Sequence, residues 1–177
     1  MLKKVAFLLV AVTSTIFEQV HSADPPRNQH VTAALYASSL LLGTQLGVKK
    51  GAAEGKVPSS VARCLLALDA SSLTDVVESV LADNLTQAEL QAVDAFFATT
   101  AGKQYAKLGS LGVYYSVGET PPEDSPSISD AEYKEIEDFK STAASNKLWK
   151  VLDGESAQRV FGARLRALAN RCGAGWR

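Results

Sequence analysis

The chain has 177 residues, 46% of them hydrophobic and 21% charged, a net charge of −1, two cysteines and two histidines. That is enough chain to bury one core without metals or many disulfides. The near-neutral balance argues against nucleic acid, which asks for a basic footprint, and so few Cys and His argue against a zinc cage or a nucleophilic triad.

Residues 1–22 read as a secretory address. Lys3 and Lys4 give a positive start, Val5 to Val12 form an eight-residue apolar run, and Val20-His21-Ser22-Ala23 closes the segment. Cleavage after Ser22 places Val20 at −3 and Ser22 at −1, as signal peptidase prefers, and the apolar run is too short for an anchor. Removing it leaves 155 residues, 23–177, read as one all-α domain of a periplasmic or secreted protein. That chain carries a net charge of −2 and keeps His30 as its single histidine.

Export gives the two cysteines a meaning. An oxidising compartment favours pairing Cys64 with Cys172, closing a loop of 108 residues; the alternative is two separate buried thiols. Each lies on a stripe of helical spacing (Val57, Val61, Cys64, Leu65, Leu68 and Phe161, Leu165, Leu168, Cys172), so each sulfur is expected to face the core.

Apolar residues recur with periods of three and four along the whole mature chain. Asn28 is the expected cap of a first helix over about 29–47, followed by a Gly-rich loop from Gly47 to Gly55. A helix around Cys64 follows Pro58, and Leu73, Val76, Val77, Val80 and Leu81 mark another that ends near Asn84. Thr86 with Glu89 forms a capping box, flanked by Leu85 and Leu90 as a hydrophobic staple. Gly102 breaks or bends the chain before a helix reaching about 117, Gly118 to Ser127 is a Pro-rich loop, and a last helix over about 155–172 stops at Gly173. The expected fold is an all-α helical bundle.

A shift of 43 residues lays 85–108 over 128–151 with six identities in 24 positions. Staple, cap, box acid and inward apolar positions coincide: Leu85 on Ile128, Thr86 on Ser129, Glu89 on Glu132, Phe96 on Phe139 and Thr99 on Thr142. Two helical hairpins of one design packed together would explain this, and so would two capped amphipathic helices converging on similar letters.

The stretch Leu85-Thr86-x-x-Glu89-Leu90-x-x-Val93-x-x-Phe96-Phe97-x-Thr99-x-x-Gly102-Lys103 resembles the hallmark of a bacterial helical family of unknown function. Its members are small exported proteins marked by Glu-Leu, then Phe-Phe or Phe-Tyr, then Gly-Lys. The likeness covers roughly residues 60–110 and implies an exported α-helical domain, with no catalytic residues to carry over. The second copy departs from it, with Lys140 in place of the second aromatic and Ser145-Asn146 in place of Gly-Lys.

Candidate chemistry is sparse. His30 as a general base needs an acid or nucleophile brought by the fold; otherwise it is a surface histidine at a helix terminus. Gly51 to Val57 lacks the spacing and the hydroxyl of a phosphate loop. Gly43, Gly47, Gly51 and Gly55 would form one stripe on a continuous helix, as in membrane helix pairs, yet Thr32, Ser38, Ser39, Thr44 and Gln45 favour a buried helix over a stable membrane span. Glu119 to Asp130 lacks the EF-hand pattern, and Asn84-Leu85-Thr86, a glycosylation sequon by letter, is only a helix corner in a bacterial chain.

Charge is segregated. Six acids and no base lie between Cys64 and Gly102, eight acids stand against Lys134 over 119–138, and eight bases against two acids follow from Lys140. Such a field can steer a charged partner, or its acidic and basic parts can face each other inside the fold. No enzyme, cofactor or metal is expected. The leading expectation is a protein-binding module meeting another envelope protein. An immunity protein neutralising an incoming envelope-directed toxin is its specific form, with Asp130, Glu132, Glu135, Glu137 and Asp138 as the contact surface. The alternative is a carrier of an apolar ligand or lipid, its pocket lined by Phe96, Phe97, Tyr105, Tyr114, Tyr115 and Trp149.

Overall fold

Glycine lowers helix propensity by about 1 kcal/mol, yet the first helix of this protein passes through three of them. The computed structural model describes residues 30–175, so the expected signal segment, its cleavage point and Asn28 lie outside the described residues. Helix α1 spans Val31–Ala53, beyond the expected end at 47, and Gly55 at φ 70° turns the chain out of it. Two of the three face close neighbours, and Gly47 faces open space. A Cβ at Gly51 would stand 2.8 Å from Val57 Cγ2, and one at Gly43 would already touch Val113. By length and composition α1 is the one helix among the described residues able to cross a membrane; it packs against the helices over 59–66, 71–84, 87–98 and 100–116.

Those helices are α2 Ser59–Leu66, α3 Ser71–Asn84, α4 Gln87–Ala98 and α5 Thr100–Ser116. After the loop come α6 Asp130–Lys140, α7 Ala143–Leu152 and α8 Glu155–Arg171, with no strand among the described residues. The fold is an all-α helical bundle.

Local chemistry sets the central boundaries. Both capping boxes form: Thr86 and Glu89 open α4, Ser129 and Glu132 open α6, and each pair exchanges side-chain and backbone bonds. At the following corners Thr99 and Thr142 act alike. Each hydroxyl donates to a phenylalanine carbonyl, Phe96 or Phe139, and accepts the N–H of Gly102 or Ser145. Helix α4 packs on α7 and α5 on α6, and Phe96 and Phe139, which the 43-residue shift superposes, stack with centroids 3.8 Å apart. This is compatible with two like helix pairs, 85–108 and 128–151.

The main core gathers α1, α3, α4, α6, α7 and α8 around Leu73, Leu81, Val93, Leu148, Leu152 and Phe161, all almost fully buried. A smaller cluster joins α1, α2 and α8 through Val48, Val61, Leu65 and Ala169. At its edge Cys64 and Cys172 are bonded, with Cα atoms 5.6 Å apart. The expectation that both sulfurs face the core is corrected for Cys64: α2 turns Val61, Ala62 and Leu65 inward and leaves Cys64 exposed, whereas half-buried Cys172 packs against the smaller cluster. A disulfide of this kind belongs in an oxidising compartment.

Part of the segregated charge meets inside the fold. Lys147 reaches Glu89 at 2.7 Å and Arg164 reaches Asp75 at 3.0 Å, joining the basic C-terminal helices to the acidic middle. The Lys147 ammonium foremost, then the Thr86 N–H and hydroxyl, holds the Glu89 carboxyl down from 4.5 to about 2. A depressed carboxyl adds stability that is complete above its unfolded value and is lost as pH falls through the folded one. Glu89→Gln is therefore expected to flatten the fall of Tm between roughly pH 5 and pH 2. Melting curves across that range check it; parallel wild-type and variant curves would refute it.

Candidate functional site

Two concavities carry polar groups worth weighing. The first is a groove bordered by α1, α3 and α4, where His30 Nδ1 lies 2.5 Å from Asp94 Oδ2. The fold thus brings His30 the acid that sequence reasoning left open. Asp94 serves the helix as well: its other oxygen accepts the Thr32 N–H at 2.9 Å and the Thr32 hydroxyl at 2.7 Å. His30 is the N-cap of α1 and makes no capping bond of its own, so a carboxylate from α4 does the work expected of Asn28. A negative group at a helix N-terminus is favourable, and both Asp94 oxygens are engaged in holding α1 to α4.

The second concavity lies between α1, α5 and α7 and encloses about 680 Å³, within the usual range of small-molecule sites. Its wall is apolar: Leu35, Tyr36 and Leu42 from α1, Leu111 and Tyr114 from α5, Leu148, Trp149 and Leu152 from α7. Phe97 closes one side, and Tyr105 meets both Phe97 and Trp149 through ring contacts. Four of the six aromatics named from sequence, Phe97, Tyr105, Tyr114 and Trp149, therefore line one pocket. The other two do not. Phe96 is buried against Phe139, and Tyr115, 64% exposed, points away from the core.

Most polar groups of this pocket have partners, whereas the buried Trp149 Nε1–H has none among the described residues. The hydroxyls of Ser38, Ser39 and Ser110 each donate to a carbonyl one turn back in their own helix. The Tyr36 hydroxyl donates to the Leu152 carbonyl and accepts from Gln158; burial foremost pushes that phenol up. Lys107 pairs with Glu123 at 2.6 Å, seating the Pro122-Glu123 stretch of the loop on α5 and drawing the Glu123 carboxyl below its ordinary range.

The acidic residues singled out from sequence all lie on α6. Asp130, Glu135, Glu137 and Asp138 are exposed, whereas half-buried Glu132 is engaged in its capping box. Asp138 pairs with Lys134 and Glu137 with Lys140, both within α6, and no basic residue of another described element meets them. Sequence reasoning missed the contributions of Leu35, Leu42, Leu111 and the Lys107–Glu123 pair. Spacing along one helix cannot show which faces of three helices converge.

Comparison with protein-family models, with curated proteins and with solved structures returns no match for this chain.

Proposed function

We propose that the protein is a non-catalytic binding module of the periplasm or extracellular space, and that it carries an apolar ligand between α1, α5 and α7. The observation that supports this is the apolar, aromatic-lined cavity of about 680 Å³, in which the hydroxyls of Ser38, Ser39 and Ser110 already donate within their own helices and that of Tyr36 to the Leu152 carbonyl. Such a lining has little to offer a polar guest and much to offer a hydrocarbon chain.

The test is titration with a neutral apolar dye, N-phenylnaphthylamine, followed by its fluorescence. Saturable binding near one equivalent is expected, together with loss of it in Ser39→Trp and Gly109→Trp, which fill the pocket. A Cβ at Gly109 meets nothing within 4 Å, so the second variant should fold normally. Absence of saturable binding, or equal binding by folded variants, overturns the proposal.

A second reading is favoured by one observation: Asp130, Glu135, Glu137 and Asp138 face outward, and among the described residues the only bases that pair with them are lysines of their own helix. They would serve as the contact surface for a basic partner protein, an incoming toxin in the immunity form of this reading. Neutralising Asp130, Glu135, Glu137 and Asp138 together would abolish that binding, and unchanged binding would sink this surface.

A further inference from the structure

Three charged side chains border the apolar pocket: Lys103, Lys107 and Glu123. Lys107 and Glu123 neutralise each other at 2.6 Å, which leaves Lys103 as the one charge of the lining without a counter-charge among the described residues. Lys103 is exposed and sits one helical turn before Lys107 on α5, so its ammonium is at the solvent side of a cavity whose depth is hydrocarbon and aromatic. A lysine in this setting lays its methylene stem along apolar surface and keeps its charge at the water boundary.

Resting on the carrier reading above, we propose that the occupant is a single-chain amphiphile with an anionic head, of the long-chain carboxylate class. Its tail fills the space among Leu35, Leu42, Leu111 and Trp149, and its carboxylate meets Lys103. Two features select this class over a neutral hydrocarbon or a cationic amphiphile. The pocket opens toward solvent beside an unpaired cation, which a carboxylate satisfies with a charge-assisted hydrogen bond. The hydroxyls of Ser38, Ser39 and Ser110 donate within their own helices, and against the single buried Trp149 N–H a carboxylate gains more from a full charge at the solvent edge, where it also keeps part of its hydration.

The experiment is displacement of N-phenylnaphthylamine from the full chain by dodecanoate, dodecanol and dodecyltrimethylammonium, each below micelle formation and at low salt. Dodecanoate is expected to displace the dye at roughly two- to fivefold lower concentration than dodecanol, the range of one solvent-edge charge pair. Lys103→Gln should remove that preference while leaving dodecanol unchanged, and Lys103→Glu should transfer it to the ammonium. Lys49→Gln, on α1 and outside the pocket, should alter nothing. Equal displacement by acid and alcohol, or a preference that survives Lys103→Gln, overturns the head-group assignment and leaves the carrier reading standing. No displacement by any of the three from wild type overturns both.

Discussion

Opening the Cys64–Cys172 bridge is expected to cost about 4–5 kcal/mol, the loop-closure entropy of a ring of roughly 100 residues. The ring spans 108 residues and holds α3 to α8 entire, so its closure removes a large share of the unfolded chain's freedom. Little packing is lost with it, because Cys64 is exposed at the edge of the smaller cluster rather than inside the main core. That exposure also lets a mild reductant reach the bond in the folded protein. At about 2–4 °C per kcal/mol for a chain of this size, Tm should fall by roughly 10–15 °C. Denaturant unfolding of the oxidised protein, the reduced protein and a Cys64→Ala/Cys172→Ala variant would measure it. A loss below about 1 kcal/mol would mean that the reduced unfolded chain is already compact.

The second large effect belongs to Gly102. A Cβ there would lie 2.1 Å from the Phe96 carbonyl oxygen and 2.7 Å from Phe97 Cα. These are backbone atoms and cannot rotate aside, and the same carbonyl accepts the Thr99 hydroxyl that fixes the α4–α5 corner. Gly102→Ala must therefore pry the corner apart, at a cost of about 3 kcal/mol or more. Gly109→Ala makes the same chemical change on the same helix, where nothing lies within 4 Å, and should instead stabilise by about 0.5–1 kcal/mol. Opposite signs in thermal melts of the two variants would verify the steric account; two changes of the same sign would refute it.

Features made by neighbouring residues were legible without the fold. Thr86 with Glu89 and Ser129 with Glu132 announce their helices because a capping box needs only four consecutive residues. Gly173 stops α8 region where expected, at φ 83°, for the same local reason. Residues 47–53 differ from expectation because glycine propensity speaks for a loop, whereas the close approach of Val57 to Gly51 that rewards a small residue is a tertiary fact. The pairing of the cysteines followed from compartment and number, but the position of Cys64 did not. A stripe five residues deep spreads over more than one face once α2 proves to be eight residues long. Asp94 was only one acid among six until the fold set it against His30 and Thr32. For the pocket, aromatic content identified four correct residues but could not separate Phe96, which stacks in the core, from Phe97, its neighbour, which lines the cavity.

The Pro-rich loop between α5 and α6 lies inside the covalent ring, since residues 118–129 fall between Cys64 and Cys172. A protease that cuts this loop cannot release a fragment. The halves on either side stay tethered by sulfur and held by the Phe96–Phe139 stack, and a nicked molecule would run as intact on a gel until reductant is added. In a compartment rich in proteases, the bridge thus turns what would be a lethal cut into a scar that the protein can carry.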